Sequence, residues 1–376
     1  MHIGLNLLFL VPGETGGMEV YANELASALA RVQPAVRITA FVNREVAAAG
    51  GGPWGELFPA ITVPVWARRR TEWVRGEQQL LPRAAANNDV DVLHSLASTA
   101  PAWGPFRRVV TILDLIYRVY PRAHSGINSL GMRVLVPLAA RRSHRVITPS
   151  SSTCDDLVRL LGVRREKIDV VPLGQGSPPS LVPTSEQVLR ERYGMADRPV
   201  VLTPAAARRH KNLTRLLEAL ALIPVERRPL LVLTGYSTRY ELQLRKTMTE
   251  LRLGADVRFS GWVPNEDLDG LYRLATCLVF PSLYEGFGLP VIEAMARGLP
   301  VACADRSSLP ELAGGVALLF DPERPAAIAG AIERLLSDPQ LADRMRERGI
   351  ARAAEFTWEE CARATIVSYE RVLGRQ

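Results

Sequence analysis

The sequence predicts an α/β protein of two doubly wound, Rossmann-like domains joined by a hinge and facing each other across a cleft. Three observations carry this. At 376 residues the chain is too long for one ordinary core and suits two domains of roughly 150–200 residues each. Short apolar runs alternate with helical periodicity throughout, the mark of parallel sheets built from βαβ units. A stretch without periodicity, "VPLGQGSPPSLVPT" near residues 171–184, then separates one round of the pattern from the next. The domain boundaries that follow are 1–177 and 178–356, with a long amphipathic helix after the last strand signal.

In the first half the strand candidates are "HIGLNLLFLV", "VRITAFV", "DVLHS", "VVTIL" and "RVITPS", with helices such as "MEVYANELASALARV" and "CDDLVRLLGV" among them. In the second half they are "PVVLTPA", "LLVLTG", "VRFSGW", "CLVFPS", "PVACAD" and "VALLFDP", and "FTWEECARATIVSYERVL" supplies the terminal helix. Ligands of such sheets bind beyond the carboxyl ends of the strands, so two of them across a hinge place a site in the cleft between.

Composition narrows the function classes. Apolar residues make up 47% and charged residues 23%, which excludes a disordered chain. No apolar run approaches the roughly 20 residues of a membrane-spanning helix, and the N-terminus lacks a basic leader, so a cytoplasmic protein is expected. The four cysteines form no C-x-x-C pair, which argues for reduced thiols over a disulfide or zinc framework. Residues 1–180 carry 20 basic against 14 acidic side chains, so most of the net charge of +7 lies in the first half. Arginine dominates that charge, which reads as compositional bias with no nucleic-acid surface. Trp66 and Trp73 stand among Arg68, Arg69, Arg70 and Arg75, while Arg133, Arg141, Arg142 and Arg145 form a second cluster. Aromatics among arginines suit an anionic lipid surface or a phosphorylated acceptor, and equally an arginine-rich solvated face.

Two stretches of the second half point to an anion. In "TPAAARRHKNLTRLLEALALI" a strand ends near Thr203 and a helix begins about Leu213, with Asn212 its N-cap. Arg208, Arg209, His210 and Lys211 crowd the positive end of that helix, an unfavourable place for cations unless an anion joins them. In "CLVFPSLYEGFGLPVIEAMARG" a strand, a glycine loop and a helix follow one another, with Pro290 in the first turn and Gly298 at the C-terminal end. Gly286 and Gly288 allow backbone N–H groups to approach a phosphate, while Glu285 and Glu293 can accept hydrogen bonds from sugar hydroxyls. A nucleotide-sugar has that anatomy. The early loop around Gly13, Gly16 and Gly17 echoes G-x-G-x-x-G only loosely and could add amides toward the same diphosphate. Asp89 to Asp91 spell D-x-D but open a strand, so no metal is expected there.

These residues resemble those of retaining glycosyltransferases of family four, with the GT-B fold, over nearly the whole chain. "EGFGLPVIEAMARGLPVACAD" looks like the family's E-x7-E region, "RRHKNLTRLLEAL" like its basic clamp and "GGMEVYANELASAL" like its glycine loop. The resemblance implies hexose transfer from a nucleotide-diphosphate donor with retention of anomeric configuration, without cofactor or metal, mannose-type and GDP-linked favoured over UDP-linked. The acceptor would be a glycan, a lipid-linked sugar or a small molecule, with peripheral membrane contact through the first domain. By resemblance Lys211, Arg208, Arg209, Glu285, Asp114 and His94 form the catalytic set. Gly16, Gly17, Gly235, Trp262, Val263, Glu285, Gly286, Phe287, Gly288, Leu289 and Glu293 hold the donor. The first domain (1–177) would bind acceptor and the second donor, and the terminal helix, about 357–376, would return to the first. Leu113 stands where the family commonly has a histidine, before Asp114, which leaves a catalytically impaired nucleotide-sugar-binding protein as an alternative beside a GT-B epimerase. A dinucleotide oxidoreductase would leave "RRHKN" and the two glutamates without a use.

Overall fold

The computed structural model describes residues 1–50, 52–121, 127–176 and 182–374. The expected hinge at 171–184 therefore lies partly outside the described residues. The chain divides into two compact units, Met1–Gly176 with Phe356–Gln376, and Ser177–Glu355.

The first unit is a seven-stranded parallel sheet in the order β3-β2-β1-β4-β5-β6-β7. Its strands are β1 (His2–Asn6), β2 (Arg37–Val42), β3 (Ala60–Thr62), β4 (Val92–Ser95), β5 (Arg107–Thr111), β6 (Arg145–Thr148) and β7 (Ile168–Val170). The apolar run at the N-terminus reads as one strand of ten residues, yet β1 stops at Asn6. The Asn6 side chain accepts from the Leu8 N–H at 3.1 Å and turns the chain, and Leu7, Leu8 and Leu10 continue as a buried loop. The edge strands β3 and β7, three residues each, are absent from the strand candidates, whereas β13, equally short, stands within the apolar run "VALLFDP".

Helix Gly17–Val32 buries Tyr21, Leu25, Ala28 and Leu29, the i, i+4, i+7, i+8 stripe of an amphipathic helix. It packs along the terminal helix Trp358–Leu373, which also lies against β5 and β6.

The second unit is a six-stranded parallel sheet in the order β10-β9-β8-β11-β12-β13. Its strands are β8 (Val200–Pro204), β9 (Leu230–Thr234), β10 (Val257–Gly261), β11 (Cys277–Phe280), β12 (Val301–Ala304) and β13 (Leu318–Phe320). All six coincide with apolar runs of the sequence. The four cysteines are free and buried. Among the described residues no helix is long and apolar enough to cross a membrane.

Candidate active site

The strand order of the second sheet decides where a site can form. Chain order runs outward from β8 to β9 and β10 on one side, and from β11 to β12 and β13 on the other. The reversal falls between β8 and β11, which pair through Val201↔Cys277 and Leu202↔Leu278. Loops leaving the two strands at a reversal diverge and open a crevice at the carboxyl edge. The loop after β8 carries Arg208, Arg209 and Lys211; the loop after β11 carries Glu285 to Gly288.

Topology thus brings together residues 74 positions apart: Lys211 Nζ donates to Glu285 Oε1 at 2.6 Å. Glu285 thus gives the basic turn a negative partner. Lys211 also lies over the Phe280 ring, 5.2 Å from its centroid, at the end of β11. Arg209–Lys211 forms a single 3-10 turn before helix Leu213–Leu222. Asn212 is the N-cap, as expected, but its side chain makes no capping hydrogen bond. Its backbone is left-handed (φ 59°), and its side-chain amide donates to Pro281 O at 3.1 Å and Pro322 O at 2.7 Å. Its Oδ1, the atom that could accept from the first helix amides, accepts instead from Arg215 Nη1 at 3.1 Å. Leu283 N donates to His210 O at 2.8 Å, so the two loops are stitched through their backbones as well. Arg208 and Arg209 are exposed, Arg209 over the Tyr240 ring at 5.1 Å.

The glutamate loop is fixed from the other side by β12's successor. Ser307 Oγ accepts from Glu285 N at 2.9 Å, and Ser308 Oγ donates to Glu285 O at 3.0 Å and Phe287 O at 2.6 Å. Ser307 holds φ 50°, a conformation a non-glycine residue adopts only when its surroundings require it. Gly288, the N-cap of helix Leu289–Ala296, holds φ 118°, and a Cβ there would come within 2.8 Å of Leu309. Gly286, Phe287 and Gly288 are buried, and Leu289 is half-buried.

Glu293 lies within helix Leu289–Ala296, and its Oε2 accepts from the Tyr272 hydroxyl at 2.7 Å. Tyr272 is buried; desolvation, with Glu293 adding to it, raises its phenol well above the ordinary value, so it remains a donor. Arg297 stacks on Tyr272 at 5.0 Å and meets the buried Asp269 at 2.5 Å. Gly235 closes β9 at φ 136°, where a Cβ would stand 2.7 Å from the Ala206 amide nitrogen. Beyond β10, Trp262 is 60% exposed whereas the Val263 side chain is buried.

The remaining predicted residues belong to the first unit. Gly16 (φ 59°) and Gly17 begin helix Gly17–Val32 just beyond β1. Asp114, after β5, accepts from Ile116 N at 3.0 Å, and Leu113 beside it is half-buried. His94, expected in the catalytic set, is enclosed within the first unit and does not face a cleft. It is fully buried, with Nδ1 at 2.8 Å from the Tyr369 hydroxyl and Nε2 at 2.8 Å from Thr111 Oγ1. Burial depresses its pKa to about 3, so it stays neutral and ties β4 to β5 and the terminal helix.

Sequence reasoning missed Tyr272, Ser307 and Ser308, which hold the two glutamates, and Glu77. Glu77 sits buried on a π-helical turn (Gly76–Leu80), accepting from Asn6 Nδ2 at 3.1 Å and Thr99 Oγ1 at 2.8 Å. Burial raises its carboxyl to about 7. The alternation around Glu293 and Tyr272 was visible only as helix periodicity, and a π-turn has no local sequence signal. Trp73, grouped with the arginines as a surface aromatic, is instead core (6% exposed), while Trp66 is half-buried under Arg44 at 6.0 Å. Asp91 of the D-x-D stretch accepts from His2 N at 2.8 Å, and among the described residues no cluster of three or more His, Cys, Asp or Glu could hold a metal.

Residues 186–352 match the family described as Glycosyl transferases group 1, and residues 15–174 match Glycosyltransferase Family 4. The chain is 31% identical to O-antigen chain mannosyltransferase B of Escherichia coli over 70% of each chain. It is 29% identical to a D-inositol 3-phosphate glycosyltransferase of Frankia alni over 96% of each. An MMP α-(1→4)-mannosyltransferase of Mycolicibacterium hassiacum is 31% identical, over 63% of this chain and 56% of that one. Among solved structures, a sucrose-phosphate synthase of Thermosynechococcus elongatus superposes with TM-score 0.78 at 22% identity over 100% of both chains. Anabaena HepE in complex with UDP and glucose gives 0.76 at 20% identity over 99% of this chain and 100% of that one. At these identities the likeness establishes the fold, GT-B.

Proposed function

The chain belongs to the glycosyltransferases of group 1 and family 4, and from that premise we propose a retaining, metal-independent hexosyltransferase of mannose type. Its donor is a nucleoside-diphosphate sugar, GDP-linked in preference to UDP-linked. Its acceptor is a glycan, a lipid-linked sugar or a small molecule. The second unit binds donor and the first binds acceptor.

One observation carries this reading: a lysine and a glutamate, 2.6 Å apart, stand where β8 and β11 diverge, beside a glycine loop that opens a helix. Transfer needs stabilisation of a departing diphosphate and of a cationic sugar, and preorganised charge supplies both. Lys211 with Arg208 and Arg209 neutralises the diphosphate, joined by the amides of Gly286 to Leu289. Glu285 accepts from hexose hydroxyls and Glu293 from the ribose. The mannosyltransferase relatives support the choice of hexose.

The test is incubation with GDP-mannose, UDP-glucose and a panel of alkyl mannosides, alkyl glucosides and inositol phosphate, with and without EDTA. The expected product keeps the donor's anomeric configuration by NMR, and the rate stays within about twofold under chelation. An inverted linkage, or activity lost with EDTA and restored by a divalent cation, would overturn the mechanism. Donor binding with neither transfer nor hydrolysis across the panel would favour the impaired binding protein that Leu113 suggests.

Tyr272→Phe tests the ribose role of Glu293. A hydrogen bond to a charged group is worth about 1.5–3 kcal/mol, so the variant should raise the donor KM about tenfold and leave kcat nearly unchanged. With a 2′,3′-dideoxyribose donor that penalty should vanish. A penalty of equal size on both donors would mean that Tyr272 acts on the fold alone.

A further inference from the structure

We propose that Glu285 is the counter-ion of Lys211 in the unliganded enzyme and gives it up for sugar hydroxyls when donor binds, so that one carboxylate discriminates intact donor from spent diphosphate. The inference rests on the donor reading above and concerns how that site tells substrate from product.

The two side chains are 18% and 14% exposed, so the ion pair is largely dry and either charge left alone would be costly. A diphosphate entering the crevice brings further negative charge to a cation already engaged by a carboxylate, and the two anions repel. Glu285 has somewhere to go only when hydroxyls are present, because a carboxylate accepts hydrogen bonds and donates none. An intact nucleotide-sugar brings hydroxyls with its phosphates. The nucleoside diphosphate left after transfer has lost the hexose hydroxyls and keeps only those of the ribose, which fall to Glu293.

The backbone makes the exchange a side-chain event. Glu285 is anchored through its N–H to Ser307 and its carbonyl to Ser308, and Leu283 is bonded to the carbonyl of His210. The Lys211 head is held near the Phe280 ring, 5.2 Å from its centroid. With both loops pinned, the lysine changes partners while the chain stays in place. Once the hexose has left, Glu285 retakes Lys211 and weakens the grip on the diphosphate, which favours product release.

The experiment titrates full-length wild type, Glu285→Gln, Lys211→Met and the double variant calorimetrically with GDP, UDP, GDP-mannose and UDP-glucose, without acceptor. Glu285→Gln should bind the diphosphate about tenfold more tightly, the scale of one charge-assisted contact set free, and the sugar-nucleotide no more tightly. The tightening should disappear in the Lys211→Met background, as coupling between the two residues requires. An unchanged or weaker diphosphate affinity in Glu285→Gln would mean that the lysine serves both anions together. Tightening that persists without Lys211 would mean repulsion through space. Either result overturns the exchange. If wild type binds none of the four nucleotides, the donor reading itself fails.

Discussion

Replacing Lys211 with alanine should lower kcat about a hundredfold, the loss expected when a charge-assisted contact of about 1.5–3 kcal/mol, made as charge develops on the leaving group, is removed. The substitution acts twice. It takes away a cation from the diphosphate, and it strands Glu285, a carboxylate only 14% exposed, beside an emptied position. Lys211→Arg separates the two effects: it keeps a partner for Glu285 but presents a planar fork where a compact head group stood. It should recover stability fully and turnover in part. The measurement is steady-state release of nucleoside diphosphate, with the thermal midpoint of each variant determined alongside. A kcat for Lys211→Ala within about threefold of wild type would refute the clamp, and with it the assignment of this turn to the leaving group.

Trp358→Ala should unfold the first unit more easily by about 3–5 kcal/mol, the range for removing a large buried aromatic. Trp358 begins the terminal helix, is 7% exposed, and packs 6.3 Å from Tyr21. Its indole N–H donates to Gly176 O at 3.0 Å, and Gly174 lies flush against the ring, where a Cβ would come within 2.5 Å. The truncation therefore opens a cavity and leaves a carbonyl without its donor. Amide hydrogen exchange resolves the two units: protection should fall along β5, β6 and the Gly17–Val32 helix and hold along β8 to β13. Trp358→Phe, which keeps most of the ring, should lose about 1 kcal/mol. Equal protection in wild type and Trp358→Ala would show that the terminal helix contributes little to the first unit.

Much of this molecule was legible in the chain. The eleven strands other than β3 and β7 announced themselves as apolar runs between helical segments, and a parallel sheet buried on both faces requires such runs. Glu285, Glu293 and the glycine loop lie within one strand–loop–helix stretch, so their order could be read locally. The basic turn before Leu213 was visible because cations are out of place at a helix N-terminus. What could not be read was partnership. His94 looked like a cleft residue because a strand end says nothing about what covers it, and the terminal helix arriving from 275 positions away seals it with Tyr369. Asn212 is the cap its position announced, but the carbonyls that hold its amide lie 69 and 110 positions further on and could not be foreseen.

The sequence by itself determined two wound α/β units and the chemical kinds of group at the carboxyl edge of the second: cations, amides and acids. Only the tertiary structure decided that Lys211 faces Glu285, that Tyr272 holds Glu293, and that two serines lock the loop between. Local periodicity records which face of a strand or helix is buried. Which strand lies next to which is settled when the sheet assembles, and side chains find their partners only then.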